Sequence, residues 1–407
     1  MGSLPGDPYP LPTVSSSAAP TTPEDRIISL DVLRGVAILG ILVINIQSIS
    51  MPSIARINPA TYGGFEGANY IVWLLSHVFV EQKFIVLFSM LFGAGVLLFV
   101  SSKKSKGEPA LKLHYKRTFW LLVIGLAHAY LLWDGDILVT YALCSLVVVL
   151  AYNWPAERLV VAAVVLLSVP FIQQVETVMM LDHGMELGYW TTTPEELQQE
   201  IAVHQGSWSA LAADRFGSNV YSQTIAVVDR AGWRYSGAML LGMALFRWGV
   251  LSNERSSEEY IKLVAGCFTV GITITVAGVA YLHYHDWGSV AGFSWGLFNY
   301  WGSILVSISY VGVVMLFCRR WAGGRVEKAL SSVGRTALSN YLLQTVVATT
   351  IFYGHGLALF GQVSRVEQMG IVLLIWVVQV GVSVLWLQRF RYGPAEWVWR
   401  SLTYGRA

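Results

Sequence analysis

Three polar side chains lie inside long apolar stretches of the sequence, where a polar group is costly and therefore a candidate for function. His128 and Asn45 each stand eleven residues beyond a basic residue, roughly 16 Å along a helix, and Gln344 stands nine residues beyond one, roughly 13 Å. Similar depth would bring the three together if their helices are neighbours. His128 can then act as general base for a hydroxyl nucleophile, and the amides can polarise a carbonyl. A histidine satisfied by a neighbouring helix is the alternative, and the sequence leaves it open.

Two aspartates follow His128 in the turn Trp133-Asp134-Gly135-Asp136. We expect Asp136 to cap the helix that follows, because aspartate is a preferred N-cap residue. Asp134 could instead orient His128 as part of a catalytic group. Six helical residues span roughly 9 Å, so that contact requires the turn to fold back.

Charged side chains also mark the ends of the apolar stretches. Asp31 and Arg34 are three residues apart and share one face of a helix. We expect a structural ion pair there in preference to substrate contact. Lys83 could meet an acidic substrate group or a lipid phosphate, although snorkelling to the interface is favoured. Arg230 and Arg234 could bind an anionic group or only anchor a helix, and the sequence does not separate these roles.

The composition predicts that these side chains are positioned by membrane-spanning helices. Of the 407 residues, 55% are hydrophobic and 13% are charged, whereas soluble domains carry roughly 25% charged residues. Apolar runs near the length of a span occur at 31–50, 83–101, 117–133, 136–152, 158–176, 233–250, 260–282, 295–317, 336–353 and 366–388. We therefore predict an all-α integral membrane protein with about ten transmembrane helices, in a single polytopic domain at residues 26–404.

The distribution of basic residues predicts the orientation of these helices. With both termini in the cytoplasm, 21 of the 27 lysine and arginine residues lie inside and 6 outside, which agrees with the positive-inside rule. An odd number of crossings is then required between residues 68 and 100, so residues 66–80 are expected to form an outer interfacial or re-entrant helix. Residues 177–231 form the largest outer excursion, with a helix start signal at Thr193-Pro194-Glu195-Glu196.

Other kinds of site and architecture lack support in the sequence. Residues 1–25 are rich in Pro, Ser and Thr, and we expect a disordered cytoplasmic tail that is not a cleaved signal peptide. The three cysteines, in apolar segments, suggest packing and no disulfide or metal site. No internal repeat of the kind that builds many transporters is evident.

The opening Ser29-Leu30-Asp31-Val32-Leu33-Arg34-Gly35, with Asn45 beyond it, resembles that of the YeiB family of bacterial inner-membrane proteins. Further matches are Lys83-Phe84, His128 with Trp133-Asp134-Gly135-Asp136, Asn340-Tyr341-Leu342-Leu343-Gln344-Thr345 and Gly393-Pro394 with Glu396-Trp397. They run in order from about residue 26 to 404. The resemblance adds Asn340 to the candidate substrate-binding residues. It implies the bacterial inner membrane and little about activity.

The opening motif is also similar to that of membrane-bound acyltransferases of the heparan-glucosaminide acetyltransferase type, which carry Asp-x-x-Arg-Gly and a later Asn. Such enzymes move an acyl group from a cytoplasmic thioester to a hydroxyl or amine across the membrane. Another group of acyltransferases has histidine where this chain has Asn45, so His128 is the better candidate base here. We therefore expect an acyltransferase, with acetyl-CoA or another acyl-CoA as co-substrate and no tightly bound cofactor.

Two other functions stay open on the sequence alone. One is a transporter or flippase for a small metabolite or lipid-linked sugar, and the other is a lipid-binding membrane protein without turnover. In each case we expect membrane lipids as partners and no nucleic acid. The acyltransferase would in addition bind a glycan or lipid acceptor. A homodimer is one option for the oligomeric state.

Overall fold

A computed structural model describes residues 27–184 and 190–405, so the predicted tail at 1–25 and a short part of the 177–231 excursion lie outside the described residues. That part of the chain contains helices and no strands. The α-helices are α1 Ile28–Ser50, α2 Ile54–Ile57, α3 Gly67–Phe79, α4 Lys83–Ser105, α5 Ala110–Leu131, α6 Leu138–Val148, α7 Ala156–Asp182, α8 Pro194–His204, α9 Trp208–Tyr221, α10 Gly232–Arg247, α11 Ser257–Tyr284, α12 Ser289–Arg320, α13 Arg325–Arg335, α14 Ala337–Phe352, α15 Arg365–Arg389 and α16 Pro394–Tyr404.

Several of these helices have the length and composition of membrane spans. Six stretches qualify among the described residues: Ile28–Ser50, Gly67–Ser105, Ala156–Asp182, Ser257–Tyr284, Ser289–Arg320 and Arg365–Arg389. Two shorter apolar stretches are Leu138–Ala151 and Ala337–Phe352. Each of the ten predicted apolar runs overlaps a helix of the structure. The all-α prediction is therefore confirmed for the described residues, and six stretches could span a membrane by their length and composition.

The long apolar segment before residue 105 is divided in two. The helical hydrogen bonding of α3 ends at Phe79, and α4 begins at Lys83. Gln82 between them has a left-handed backbone with φ of 65°, a conformation that a side-chain-bearing residue adopts only in a local break. The prediction of a separate helix ahead of a single span agrees with this division.

The described part of the excursion at 177–231 contains α8 and α9, and α9 packs against the end of α5. Helix α8 begins as predicted, with a capping box in which Thr193 Oγ1 accepts from the Glu196 N–H at 3.2 Å and Glu196 Oε2 accepts from the Thr193 N–H at 2.9 Å. From α9, Asn219 donates to the Ala129 carbonyl at 2.9 Å and Trp208 to the Leu131 carbonyl at 3.0 Å. These bonds satisfy carbonyls that the end of α5 leaves without helical partners.

Close helix crossings at glycines bring the bundle together. A Cβ on Gly93 of α4 would overlap the Met239 carbonyl of α10, and a Cβ on Gly242 of α10 would overlap the Met90 carbonyl of α4. The two backbones therefore touch directly, as small residues allow in membranes. The largest buried apolar cluster extends from this crossing towards α1, α7 and α12.

We expect Gly93→Ala and Gly242→Ala each to destabilise the protein by about 1–3 kcal/mol, because the added methyl group forces the helices apart. Thermal unfolding of the purified protein, followed by tryptophan fluorescence, measures the change. Gly381→Ala is the matched control, since a Cβ there meets nothing within 4 Å and alanine favours a helix. Equal unfolding temperatures for all three variants would contradict the direct contact of α4 with α10.

Candidate functional site

A cavity of about 900 Å³ lies at the end of the bundle where α1 ends and α4 and α10 begin. Its walls also include the turn between α5 and α6 and residues of α8 and α9. Carboxylates outnumber basic groups along it, so we name it the acidic cavity: Glu81, Asp134, Glu196, Glu200 and Asp214 against Arg56, Arg234 and His204. Asn45 lines the same space. The acidic cavity can therefore bind the polar groups of a water-soluble molecule.

Asp134 is one of the carboxylates that line the acidic cavity. It stands three residues before Ile137, which lines the same cavity. It sits in the loop between α5 and α6, outside both helices. Burial raises the pKa of the Asp134 carboxyl, and nearby His204 and Arg215 oppose this rise only in part. A carboxylate with a raised pKa is a better proton acceptor, so Asp134 has the chemistry of a general base.

Arg234 lies on the wall of the acidic cavity, held in place by neutral partners. Its Nη2 donates to Gln82 Oε1 at 2.5 Å and to Ser303 Oγ at 3.2 Å. The guanidinium carbon lies 4.0 Å from the ring centre of Tyr300. Since none of these partners carries a negative charge, Arg234 keeps its positive charge for an anionic group of a ligand.

Lys83 occupies a different environment from the one that the sequence suggested. Its side chain is completely buried, and its Nζ donates to the His77 carbonyl at 2.7 Å and to Asn299 Oδ1 at 2.5 Å. It does not line the acidic cavity. The snorkelling favoured from the sequence is therefore wrong, because α3 and α12 enclose the ammonium group and satisfy it with hydrogen bonds.

A second cavity, of about 620 Å³, lies at the opposite end of the bundle. It is bounded by the first half of α1, the second half of α4, the first half of α5 and residues of α14 and α16. Apolar and aromatic side chains form its deep part. Basic residues predominate at its mouth, so we name it the basic cavity: Arg34, Lys103, Lys106, Arg117, Arg335 and Arg400, against Asp31 and Glu396. This pairing of an apolar interior with a cationic mouth suits an amphiphile with an anionic head.

Aromatic rings hold two of these cations in place. The Arg117 guanidinium lies 4.3 Å from the Trp399 ring centre, and the Arg400 guanidinium lies 4.3 Å from that of Tyr392. The Nε of Arg400 is buried without a hydrogen-bond partner. A ring supports a guanidinium without neutralising its charge, so both groups stay available to a phosphate.

The two carboxylates at the mouth are already engaged. Asp31 accepts from Arg34 at 2.8 Å, which confirms the predicted ion pair. Glu396 accepts from the Leu338 N–H at 2.7 Å and from the Ser339 hydroxyl, so it caps the start of α14. Burial raises the pKa of the Glu396 carboxyl. The cationic character of the mouth therefore persists.

The two cavities meet at a thin wall. Three residues line both of them: Ile41, Ile137 and Tyr341. The Tyr341 hydroxyl oxygen accepts the Ile137 N–H at 3.3 Å, which leaves its own proton free to be donated. Tyr341 is thus the polar group at the boundary, and sequence reasoning missed it although it stands inside the Asn340–Thr345 motif.

His128 lies behind this wall and lines neither cavity. Its Nδ1 is 2.8 Å from Asp136 Oδ1, and its Nε2 is 2.9 Å from Thr345 Oγ1. The His128 and Tyr341 ring centres are 5.0 Å apart. With both nitrogens engaged, the histidine joins α5 to α14 and supports Tyr341.

The carboxylate that orients His128 is therefore Asp136, and the alternative that assigned this contact to Asp134 is corrected. Asp136 also accepts the Val139 N–H at 2.8 Å through its other oxygen, which confirms its predicted role as a cap of α6. The loop between α5 and α6 places Asp136 over the last helical turn of α5. One carboxylate can therefore both orient His128 and cap α6.

The predicted meeting of Asn45, His128 and Gln344 around one space is not what the structure shows. Gln344 Nε2 donates to the Ile38 carbonyl and to Gln379 Oε1, each at 3.0 Å. Only Asn45 faces a cavity, because the rotation of their helices turns His128 and Gln344 towards neighbouring helices.

Asn340 belongs to the same buried polar network as Gln344. Its Nδ2 donates to Thr336 Oγ1 at 2.9 Å and to Ser383 Oγ at 3.0 Å, and its Oδ1 accepts from Gln379 at 3.3 Å. These bonds join α14 to α15. Asn340 and Gln344 therefore hold helices together and line neither cavity.

His114 is a second histidine that sequence reasoning passed over. It is buried, lines the basic cavity and has its Nε2 at 3.1 Å from Ser145 Oγ and 3.3 Å from Thr118 Oγ1. Helix α5 begins at Ala110, earlier than the apolar run, so His114 lies within it. Pro109 directly before the helix was the signal that could have revealed this start.

Comparison with known proteins then places the chain in a family. "Uncharacterized protein YeiB" of Escherichia coli (strain K12) is 31% identical over 387 residues, which cover 93% of this chain and 96% of that protein. The chain belongs to the YeiB family. "Uncharacterized protein YxaH" of Bacillus subtilis (strain 168) is 32% identical over 403 residues, which cover 96% of this chain and 97% of that protein.

Two further comparisons complete this assignment. Residues 245–406 match the family model described as "Protein of unknown function (DUF418)", a region that contains Tyr341 and Thr345. No solved structure matches the chain. The names of the relatives state no activity, so the acyltransferase implied by the resemblance stays a prediction.

We expect Thr345→Val to destabilise the protein by about 1–3 kcal/mol, because it leaves a buried nitrogen of His128 without a partner. Thr350→Val is the matched control, since Thr350 is exposed and its hydroxyl donates only to the Val346 carbonyl of its own helix. Thermal unfolding of both variants measures the difference. Equal loss of stability in both would contradict the His128–Thr345 bond.

Proposed function

We propose that this protein is an acyltransferase that moves an acyl group across a membrane, from a thioester donor in the basic cavity to an acceptor in the acidic cavity. The supporting observation is that two cavities of opposite charge lie at opposite ends of the bundle and share three lining residues, Ile41, Ile137 and Tyr341. A reaction between two substrates that never share a compartment requires this kind of arrangement.

The donor side has the chemistry that an acyl-CoA requires. Phosphate groups would bind at the mouth, where Arg117 and Arg400 keep their charge on aromatic supports. The acyl group would follow the apolar interior towards Tyr341. Coenzyme A is a cytoplasmic compound, and the positive-inside rule predicts that this basic end faces the cytoplasm.

The transfer step would use Asp134 and Tyr341. Asp134 would take the proton of the acceptor hydroxyl as its oxygen bonds to the acyl carbon. Tyr341 would donate its proton in a hydrogen bond to the carbonyl oxygen as negative charge develops there. The carbon–sulfur bond then breaks, and the thiolate of coenzyme A leaves through the basic cavity, where it takes a proton from water.

The remaining candidates would have supporting tasks in this scheme. His128 would position Tyr341, because both of its nitrogens are bonded to protein groups. Asn45 and Arg234 line the acidic cavity and would bind hydroxyl and anionic groups of the acceptor. The acidic character of this cavity favours an acceptor rich in polar groups, such as a glycan or a lipid-linked sugar.

The proposal includes a topology of ten transmembrane helices with both termini in the cytoplasm of a bacterial cell, in its inner membrane. Four helices would cross in addition to the six stretches of sufficient length: α5, α6, α10 and α14. Support comes from the bacterial origin of the relatives and from the basic residues between α4 and α5. Helix α3 would lie at the outer interface.

A transporter or flippase is the second candidate, because two cavities separated by a thin wall could also alternate in opening. A transporter differs from the proposed acyltransferase because the wall between the cavities must open for the substrate to pass. Counterflow of a labelled substrate in proteoliposomes, with Tyr341→Phe as the variant, discriminates between them. Transport that persists without any acyl transfer would favour this candidate.

Labelling of single cysteines tests the topology. In a variant whose three cysteines are replaced by alanine, we expect Glu195→Cys to react with a membrane-impermeant maleimide on spheroplasts, and Lys104→Cys to react only after permeabilisation. Both positions are exposed, and three proposed crossings separate them. Labelling of both from one side, or the reverse pattern, would contradict the topology.

We expect Asp134→Asn to slow the release of free coenzyme A thiol from acyl-CoA by about 100-fold or more, because a general base is lost. Donor binding should change little, since Asp134 lies in the other cavity. The wild-type rate should fall as the pH is lowered through the raised pKa of Asp134, and the variant should lack this dependence.

Glu195→Gln serves as the control for this measurement, because Glu195 is an exposed carboxylate of α8 outside the acidic cavity. Arg117→Gln should weaken donor binding, whereas Arg320→Gln, an exposed arginine beside Trp321, should not. An absence of acyl-CoA binding and of thiol release in the wild-type protein would overturn the proposed function.

A further inference from the structure

We infer that the acyl group of the donor is longer than acetyl, and that Gly95 of α4 sets the limit on its length. This inference rests on the proposed function. It concerns only the apolar interior of the basic cavity.

One face of α4 forms a continuous wall of the basic cavity. The residues on this face are spaced alternately by four and three positions, as one side of a helix requires: Phe88, Phe92, Gly95, Phe99, Ser102 and Lys106. The row is polar at the mouth and aromatic inside. Gly95 is the single small residue in its aromatic part.

Helix packing does not account for this glycine. A Cβ on Gly93, two residues earlier, would overlap the Met239 carbonyl of α10, so that glycine is needed where two helices cross. A Cβ on Gly95 would meet nothing within 4 Å. The missing side chain therefore leaves open space between the rings of Phe92 and Phe99.

This gap has the position that an alkyl chain needs. It lies one helical turn further inside than Phe99, whose ring centre is 4.9 Å from the Arg117 guanidinium at the mouth. The seven residues from Phe92 to Phe99 extend over roughly 10 Å. An acetyl group has a single methyl and would leave such a slot empty. A longer chain would fill it, at about fourfold in affinity per buried methylene.

The polar arm of the donor would follow another wall. Its amides need hydrogen-bond partners, and the interior of α4 offers none on this face. Thr118 and Ser145 on α5 and α6 line the same cavity with hydroxyl groups. The two walls thus separate the polar arm from the alkyl chain.

Binding of acetyl-CoA, butyryl-CoA and octanoyl-CoA to the full-length protein in lipid nanodiscs tests the inference. For wild type we expect octanoyl-CoA to bind at least tenfold more tightly than acetyl-CoA. Gly95→Leu should remove this preference for octanoyl-CoA and keep acetyl-CoA binding. Gly95→Ala should reduce the preference without removing it. Gly266→Leu on α11 is the matched control, since its Cβ also meets nothing within 4 Å but it lies outside the cavity.

The outcomes separate this inference from the proposed function. If wild type binds no acyl-CoA, the proposed function fails. If it binds acetyl-CoA and octanoyl-CoA equally well, or if Gly95→Leu keeps the preference at an unchanged unfolding temperature, the inference fails and the proposed function stands. Displacement of octanoyl-CoA by dioctanoyl phosphatidic acid but not by coenzyme A would show a lipid site and overturn the inference.

Discussion

The hydrogen bonds of His128 to Asp136 and Thr345 join the parts of the chain that form the wall between the cavities. Asp136 directly precedes Ile137, and Thr345 stands one helical turn after Tyr341. Two of the three wall residues, Ile137 and Tyr341, are therefore placed by this one buried link. In a bilayer no water replaces a lost hydrogen bond, so the separation of the two cavities depends on these side chains remaining paired.

The charges at the two ends follow a common physical pattern. At the basic cavity, cations are supported by rings or paired locally, and the two carboxylates are engaged by Arg34 and by the start of α14. At the acidic cavity, Arg234 is held by neutral groups, while Asp134 faces the cavity beside the wall. Each end thus presents groups suited to one kind of substrate, which is the physical basis of the proposed transfer between compartments.

Much of the local structure could be predicted from the sequence. The ten apolar runs each fall on a helix, α8 begins at its capping box, Asp31 pairs with Arg34 and Asp136 caps α6. These features depend on residues within a few positions of each other, so composition and spacing are sufficient. Helix α5 begins at Ala110, earlier than the apolar run at 117–133, because its first turns are polar.

The sequence by itself determined that the chain is helical and where its ten long apolar segments lie. It also determined how far along a helix each polar side chain stands from a charged end, because a helix rises by a constant amount per residue. Only the tertiary structure decided which side chains face a common space. Rotation of each helix about its axis is set by packing with distant segments, such as α4 against α10 at Gly93 and Gly242. For that reason Gln344 faces a helix contact, His128 supports the wall from behind, and Tyr341 and Gly95 face the cavities.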